Sequence, residues 1–333
     1  MTTGARITLG LLAAVLAAGA AHAFGSGDDR GASGFRGLLL ASDARIAALG
    51  GADVALPENV AAITSNPASA ATFGRRAASL SATSYVMDIL PASGTVVLPS
   101  RWGVWSFAAS DVSYGDFARI DEFASDQGTF SANDVALHAG WARSWSHGIS
   151  GGFSFGWLRS RIADYSATAA VVNAGVLWRF NGGQTSVGLA ADNVGAALSS
   201  YLGGDQGMKD QVPTVLRAGV MHRPGHFPLP LAILAEVDLP RDDDANLSLG
   251  AEIRPVAPVA LRVGYRSLVR YAAASVSGEK DGIMLDDRRA GGFGGLGLRV
   301  GAGFTHDRFG LDYAYGLAGP FGSIHHLTAY FLW

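Results

Sequence analysis

Apolar positions alternate with small or charged ones at period two in many short stretches of this chain. In 309–315, Phe309, Leu311, Tyr313 and Tyr315 face one way, and Gly310, Asp312 and Ala314 the other. In 259–266, Val259, Leu261, Val263 and Tyr265 oppose Ala260, Arg262, Gly264 and Arg266, and in 246–254 Leu247, Leu249, Ala251 and Ile253 oppose Ser248, Gly250, Glu252 and Arg254. The last segment, 324–333, puts Leu327, Ala329, Phe331 and Trp333 on one face, so the chain ends by exposing aromatics that a soluble sheet would have to cover. The same alternation predicts strands at 77–86, 93–98, 103–110, 134–145, 148–158, 167–180, 185–193, 214–222, 231–238, 246–254, 259–266, 292–304, 309–315 and 324–333. That is about fourteen strands, an even number.

The connections alternate too. Those at 99–102, 146–147, 181–184, 255–258 and 305–308 are short; those at 111–133, 194–213 and 267–291 are long and fall in the opposite class. The 223–230 connection is somewhat long for its class and 86–92 rather short. Short turns on one rim and long loops on the other are the habit of outer-membrane barrels, and the parity puts both termini in the periplasm. The expected fold is an all-β transmembrane antiparallel barrel, with 324–333 pairing with 77–86 to remove both edges.

Composition agrees. Of 333 residues 49% are hydrophobic and 16% charged, and mean hydropathy is +0.22, against roughly 25% charged in an average soluble domain. Glycine numbers 45, suiting strands packed around a crowded interior. Residues 1–23 read as a signal peptide, with Arg6 ahead of an apolar run and a small-x-small site at Ala21-His22-Ala23. Removing the charge of Arg6 takes the net charge from -3 to -4, which leaves no basic footprint for nucleic acid. There is no cysteine. No other run reaches the ~18–20 apolar residues a membrane helix needs. Residues 24–76, glycine-rich and then alanine-rich without strand alternation, read as a plug or hatch, and 77–333 as the barrel.

A charge facing lipid near the midplane costs roughly 2–4 kcal/mol. The charged rows are therefore lumenal: Arg179, Arg217, Glu236, Asp238, Glu252, Arg254, Arg262, Arg266, Arg299 and Asp312, with Arg299 the expected partner of Asp312. They read first as an internal ion-pair network that fills the barrel and seats the plug. The seven tryptophans, mostly near strand ends, read as an interfacial girdle. Catalytic motifs dissolve on inspection. Gly152-Phe153-Ser154-Phe155-Gly156 fits a nucleophile elbow but sits mid-strand. Gly292 to Gly297 fits a dinucleotide loop but leads into a strand. His325 and His326 face opposite sides and cannot chelate one metal. Asp242-Asp243-Asp244 reads as a solvated turn. No cofactor, metal or catalytic constellation is expected.

Residues 48–71 (ALGGADVALPENVAAITSNPASAA), with Gly50-Gly51 and then Asn66-Pro67-Ala68, resemble the N-terminal signature of the PorV/PorQ outer-membrane proteins. That family is similar in fold to the long-chain fatty-acid transporter (FadL-like), a fourteen-stranded barrel with an N-terminal hatch. Asp192-Asn193-Val194-Gly195, Val212-Pro213, LRAG at 216–219, LRVGYR at 261–266 and LDYAY at 311–315 extend the likeness over nearly all of the mature chain. The chain departs from the signature in lacking a methionine ahead of Gly50 and an aromatic at Ser65. Tyr330, Phe331 and Trp333 resemble the terminal signal read by the barrel assembly machinery, with Thr328 where glycine is commoner. The resemblance implies a non-enzymatic protein of the bacterial outer membrane, surrounded by lipid and lipopolysaccharide. It implies, through the long loops, transport or type IX secretion work that binds or relays a secreted or surface-anchored protein. The alternative is a fatty-acid-transporter-like conduit in which a hydrophobic ligand enters from outside and leaves through a lateral gap. A conduit needs a continuous apolar pocket beside the plug, whereas a scaffold can be filled by the charged rows.

Overall fold

The computed structural model describes residues 33–40, 43–121, 123, 125–201, 211–243, 245–267, 297–318 and 322–333. The expected leader at 1–23, most of the 267–291 loop and the 292–296 part of the glycine motif lie outside them.

Alternation produces strands wherever one face can meet lipid and the other a filled lumen. They are β1 (Ala77–Ser84), β2 (Leu90–Ser100), β3 (Gly103–Ile120), β4 (Asp126–Ser144), β5 (Ile149–Ile162), β6 (Tyr165–Phe180) and β7 (Thr185–Ser199). β8 (Val215–His222), β9 (Leu231–Pro240), β10 (Asn246–Val256), β11 (Val259–Arg266), β12 (Leu298–His306), β13 (Phe309–Leu317) and β14 (Ser323–Leu332) complete the set. Each lies where the sequence places one. All pair antiparallel in order, and β14 returns to β1, with Ala77 opposite Leu332 and Ser84 opposite His325, so the barrel is closed and has no edge.

The alternation runs opposite to that of a soluble protein. Leu249, Leu261, Val263, Val300 and Leu311 are exposed on the outside, while Glu236, Glu252, Arg262 and Asp312 are buried within. A closed ladder satisfies every interstrand backbone group, which lipid demands. Trp102, Trp105, Trp145, Trp178 and Trp333 are exposed near the rim of short turns. The largest departure is at 111–133, expected as a loop. There β3 and β4 continue as a hairpin that stands beyond their neighbours, with register shifts at Ser113/Asp116 and Ala118/Ile120. The stretch alternates less cleanly because both of its faces are solvated.

The described residues of 33–76 form no strand. They run down the inside of the barrel as a 3-10 turn Arg36–Leu39, a one-turn helix α1 (Ala44–Ala48), and 3-10 turns Val60–Thr64 and Pro67–Thr72. Arg76 then joins Trp333 through reciprocal backbone hydrogen bonds of 3.1 and 3.0 Å at the short-turn rim.

Candidate functional site

On one side, β4 to β7 hold this inner segment with neutral groups. Asn66, fully buried, caps the turn Pro67–Thr72: its Oδ1 accepts from Ala68 N at 3.1 Å, and its Nδ2 donates to Val54 O at 2.6 Å and to Val176 O of β6 at 3.2 Å. Pro67 fits the first helical position, where no N–H is needed. A Cβ at Gly175 would overlap Asn66 Oδ1, which is why the wall must carry glycine there. Ser154 Oγ donates to Ile63 O at 2.8 Å and Ser186 Oγ to Ala55 O at 2.6 Å. The serine of the apparent nucleophile elbow is thus an anchor for the segment.

On the other side, β8 to β14 hold it with charge. Arg45 of α1 reaches Glu252 at 2.9 Å, Glu252 also binds Arg262 at 2.8 Å and Arg254 at 3.1 Å, and Arg262 binds Asp312 at 2.6 Å. Nearby, Arg217 lies 2.7 Å from Asp192, 3.3 Å from Glu236, 3.7 Å from Asp238 and 3.8 Å from Asp53, while Arg266 binds Asp238 at 2.7 Å. Glu236 Oε2 accepts the backbone N–H groups of Asp53 and Val54 at 2.6 and 2.8 Å. Burial raises the Asp53 carboxyl above its ordinary range, and Arg217 opposes that shift. Asp43 caps α1 by accepting from Ile46 N at 3.1 Å; burial first, and Asp312 second, push its carboxyl up to about 6. Gly50 and Gly51 follow α1 with φ of 71° and 88°, the left-handed conformation that lets the chain turn against β11.

Of the expected lumenal rows, Arg217, Glu236, Asp238, Glu252, Arg254, Arg262, Arg266 and Asp312 meet as described. Two do not. Asp312 pairs with Arg262, not with Arg299, because Arg299 stands opposite Gly316 while Asp312 stands opposite Gly303, four residues away along β12. Arg179 has no ion pair among the described residues, and its Nε is buried without a partner. Asp242 also departs from the solvated turn: it is buried, accepts from Ser33 N at 3.3 Å and lies 3.6 Å from Arg36. Period-two alternation cannot mark Arg45, Asp53 and Asp192 as lumenal charges, since Arg45 and Asp53 lie outside the strands and Asp192 sits beside a bulge of β6 and β7.

Toward the long-loop rim an apolar cluster fills part of the lumen. Phe35, with Leu38 beside it, packs among Ala136, Leu158, Ala167, Ala169, Val171, Ala197 and Val212. A cavity of about 10 Å³ remains between Phe35, Leu38, Val112, Asp134 and Leu158, room for about one water. Outside the same wall, an apolar depression of about 490 Å³ lies over Ala82, Ala92, Gly94, Ala109 and Ala329, flanked by Leu80 and Leu327. Both hollows touch Ser110 and Val135. The ladder between β1, β2 and β3 is unbroken there, so the lateral gap expected of a conduit is absent among the described residues. The aromatic end also resolves: Phe331 stacks on Trp333 outside, whereas Tyr330 faces the lumen, with its ring over Gly310 and its hydroxyl on Thr305. His325 faces out to Tyr313 and His326 in to Thr83.

No family model matches the chain, and no curated protein matches it in sequence. Solved structures do. The toluene transporter TodX of P. putida superposes with a TM-score of 0.54 at 11% identity, covering 87% of this chain and 96% of that one. The fold is that of TodX. The monoaromatic hydrocarbon channel CymD gives 0.54 at 11% identity over 88% and 96%. This is the fourteen-stranded, FadL-like outer-membrane architecture, carried here by a very different sequence.

Proposed function

We propose that this protein is an outer-membrane conduit for small hydrophobic molecules whose lumen the segment 33–76 closes. The observation that carries the reading is the apolar chamber at the long-loop rim. Its natural lining would be polar if it passed only water and ions, yet it is built mainly of Ala, Val and Leu, with Tyr201, Ser110 and Asp134 at its edge, and is occupied by the protein's own Phe35 and Leu38. A hydrophobic solute takes their place in this cluster, whose wall is separated by one unbroken layer of β3 and β4 from the apolar depression facing lipid. TodX and CymD, a toluene transporter and a monoaromatic hydrocarbon channel, support this reading through the shared fold. The test is uptake of toluene by cells lacking other such channels. Cells with the barrel should take it up several-fold faster than cells without it, and equal rates would refute the reading.

A second reading, a PorV/PorQ-like relay of a surface protein, draws support from the projecting β3–β4 hairpin. Phe117 and Phe130 stack there at 5.4 Å, and Ile120 and Phe123 are 63% and 80% exposed. Excising 114–130 should then release a surface-protein partner and leave solute uptake unchanged. Retention of every partner would count against it.

A further inference from the structure

His138 has no task in the seating of the segment. It points inward from β4, is 5% exposed, and neither ring nitrogen has a hydrogen-bond partner among the described residues. The polar groups nearest it on the β4 to β7 side do: Ser154, Asn173 and Ser186 serve the segment or each other, Tyr201 donates to Ser160 at 2.6 Å, and Tyr114 donates to Asp134 at 2.8 Å. A buried imidazole with both nitrogens idle forfeits hydrogen bonds it had in water, so its place calls for a reason.

That place is the floor of the apolar chamber. His138 stands two residues along β4 from Ala136, roughly 7 Å at the usual strand rise, on the same inward face. Its ring lies over Gly156, where a Cβ would meet Cε1 at 2.5 Å and Val171 Cγ2 at 2.7 Å. Ala136 and Val171 both belong to the cluster around Phe35. A solute that displaced Phe35 and Leu38 would therefore meet this unpartnered imidazole below it.

Resting on the conduit reading, we infer that His138 is a specificity residue, and that the preferred solute is an uncharged hydrophobic molecule bearing one hydroxyl, such as an alkylphenol, rather than a plain hydrocarbon or a carboxylate. A neutral imidazole offers one N–H and one lone pair, and a hydroxyl can use either. An imidazolium there would be a buried charge without a counter-ion. A carboxylate solute would also pass Asp134, whose side chain lines the cavity above.

The test compares barrel-dependent uptake of 4-ethylphenol, ethylbenzene and 4-ethylbenzoate by cells carrying the full-length protein, corrected for barrel-free cells. One added neutral hydrogen bond predicts a phenol-to-hydrocarbon ratio of roughly three- to ten-fold. His138→Leu should bring the ratio near one, and His138→Gln, which keeps a donor and an acceptor, should restore much of it. If His138→Leu fails to assemble, the wild-type protein labelled with ¹⁵N-histidine still decides: 4-ethylphenol should move the His138 ring resonance and ethylbenzene should not. An unmoved resonance, the same ratio in wild type and His138→Leu, or preferred uptake of 4-ethylbenzoate would each overturn the inference. Ethylbenzene uptake with a wild-type ratio near one would overturn it alone. Uptake of neither probe would overturn the conduit reading and this inference together.

Discussion

Two arcs of one wall hold the same segment by different chemistry. β4 to β7 offer hydroxyls, an amide and bare glycine backbone to Ile63, Ala55 and Asn66, and their rim-ward part is the apolar chamber. β8 to β14 offer Arg217, Glu236, Glu252, Arg262 and Asp312, and there the segment supplies Arg45 and Asp53. A neutral hydrogen bond nets about 1 kcal/mol and can be exchanged for water cheaply, whereas breaking a buried ion cluster strands charges. The charged arc is therefore the fixed side of the closure, and the neutral arc the side that can yield at lower cost.

Substitutions sharpen that contrast. Arg217→Met leaves Asp53, Asp192, Glu236 and Asp238 with Arg266 as their only ion-pair partner among the described residues. It should cost about 3–5 kcal/mol, seen as a large fall in the thermal unfolding temperature of the barrel in detergent. A change below that of any neutral-arc substitution would break the comparison. Asn66→Ala, which leaves Val54 O and Val176 O short of a donor, should cost about 1–3 kcal/mol. Its strand circular dichroism should persist while protease cuts the loosened segment. The pH dependence comes next. With the Asp43 carboxyl raised from 3.8 to about 6, its contribution is fully present below 3.8 and is lost as pH rises through about 6. A cysteine introduced by Ala47→Cys, in a chain that has none, should label faster at pH 7 than at pH 4 after each rate is divided by that of a free peptide thiol at the same pH, and Asp43→Asn should flatten the corrected difference. Smallest is Ser154→Ala, which should cost about 1 kcal/mol and speed labelling of the segment only slightly.

The strands were legible because lipid outside and a packed lumen inside impose strict alternation. Each of the fourteen lies near its expected place, and Glu252, Arg262 and Asp312 face inward as their period requires. Partner choice was not legible. Asp312 takes Arg262 rather than Arg299 because register, which turns and bulges set, decides which inward rows are level. Phe35, Leu38 and His138 carry no sequence signal for a related reason: each is a single residue whose meaning depends on what folds over it. The tip of the hairpin at 103–144 lacks strand alternation because solvent on both faces removes the periodic signal.

The central claim is that Phe35 and Leu38 must leave the chamber for a solute to pass. Gly37 lies close enough to β3 that a Cβ on it would be 3.3 Å from Val112 Cγ2, with the Asp134 carboxylate at 2.8 Å shifting to make room, and the absence of native cysteine makes a Gly37→Cys, Val112→Cys pair unambiguous. Toluene uptake by cells carrying this pair is the direct measurement. The account predicts that oxidation stops barrel-dependent uptake and reduction restores it; equal uptake by the oxidised and reduced forms, with the disulfide shown to have formed, would contradict it.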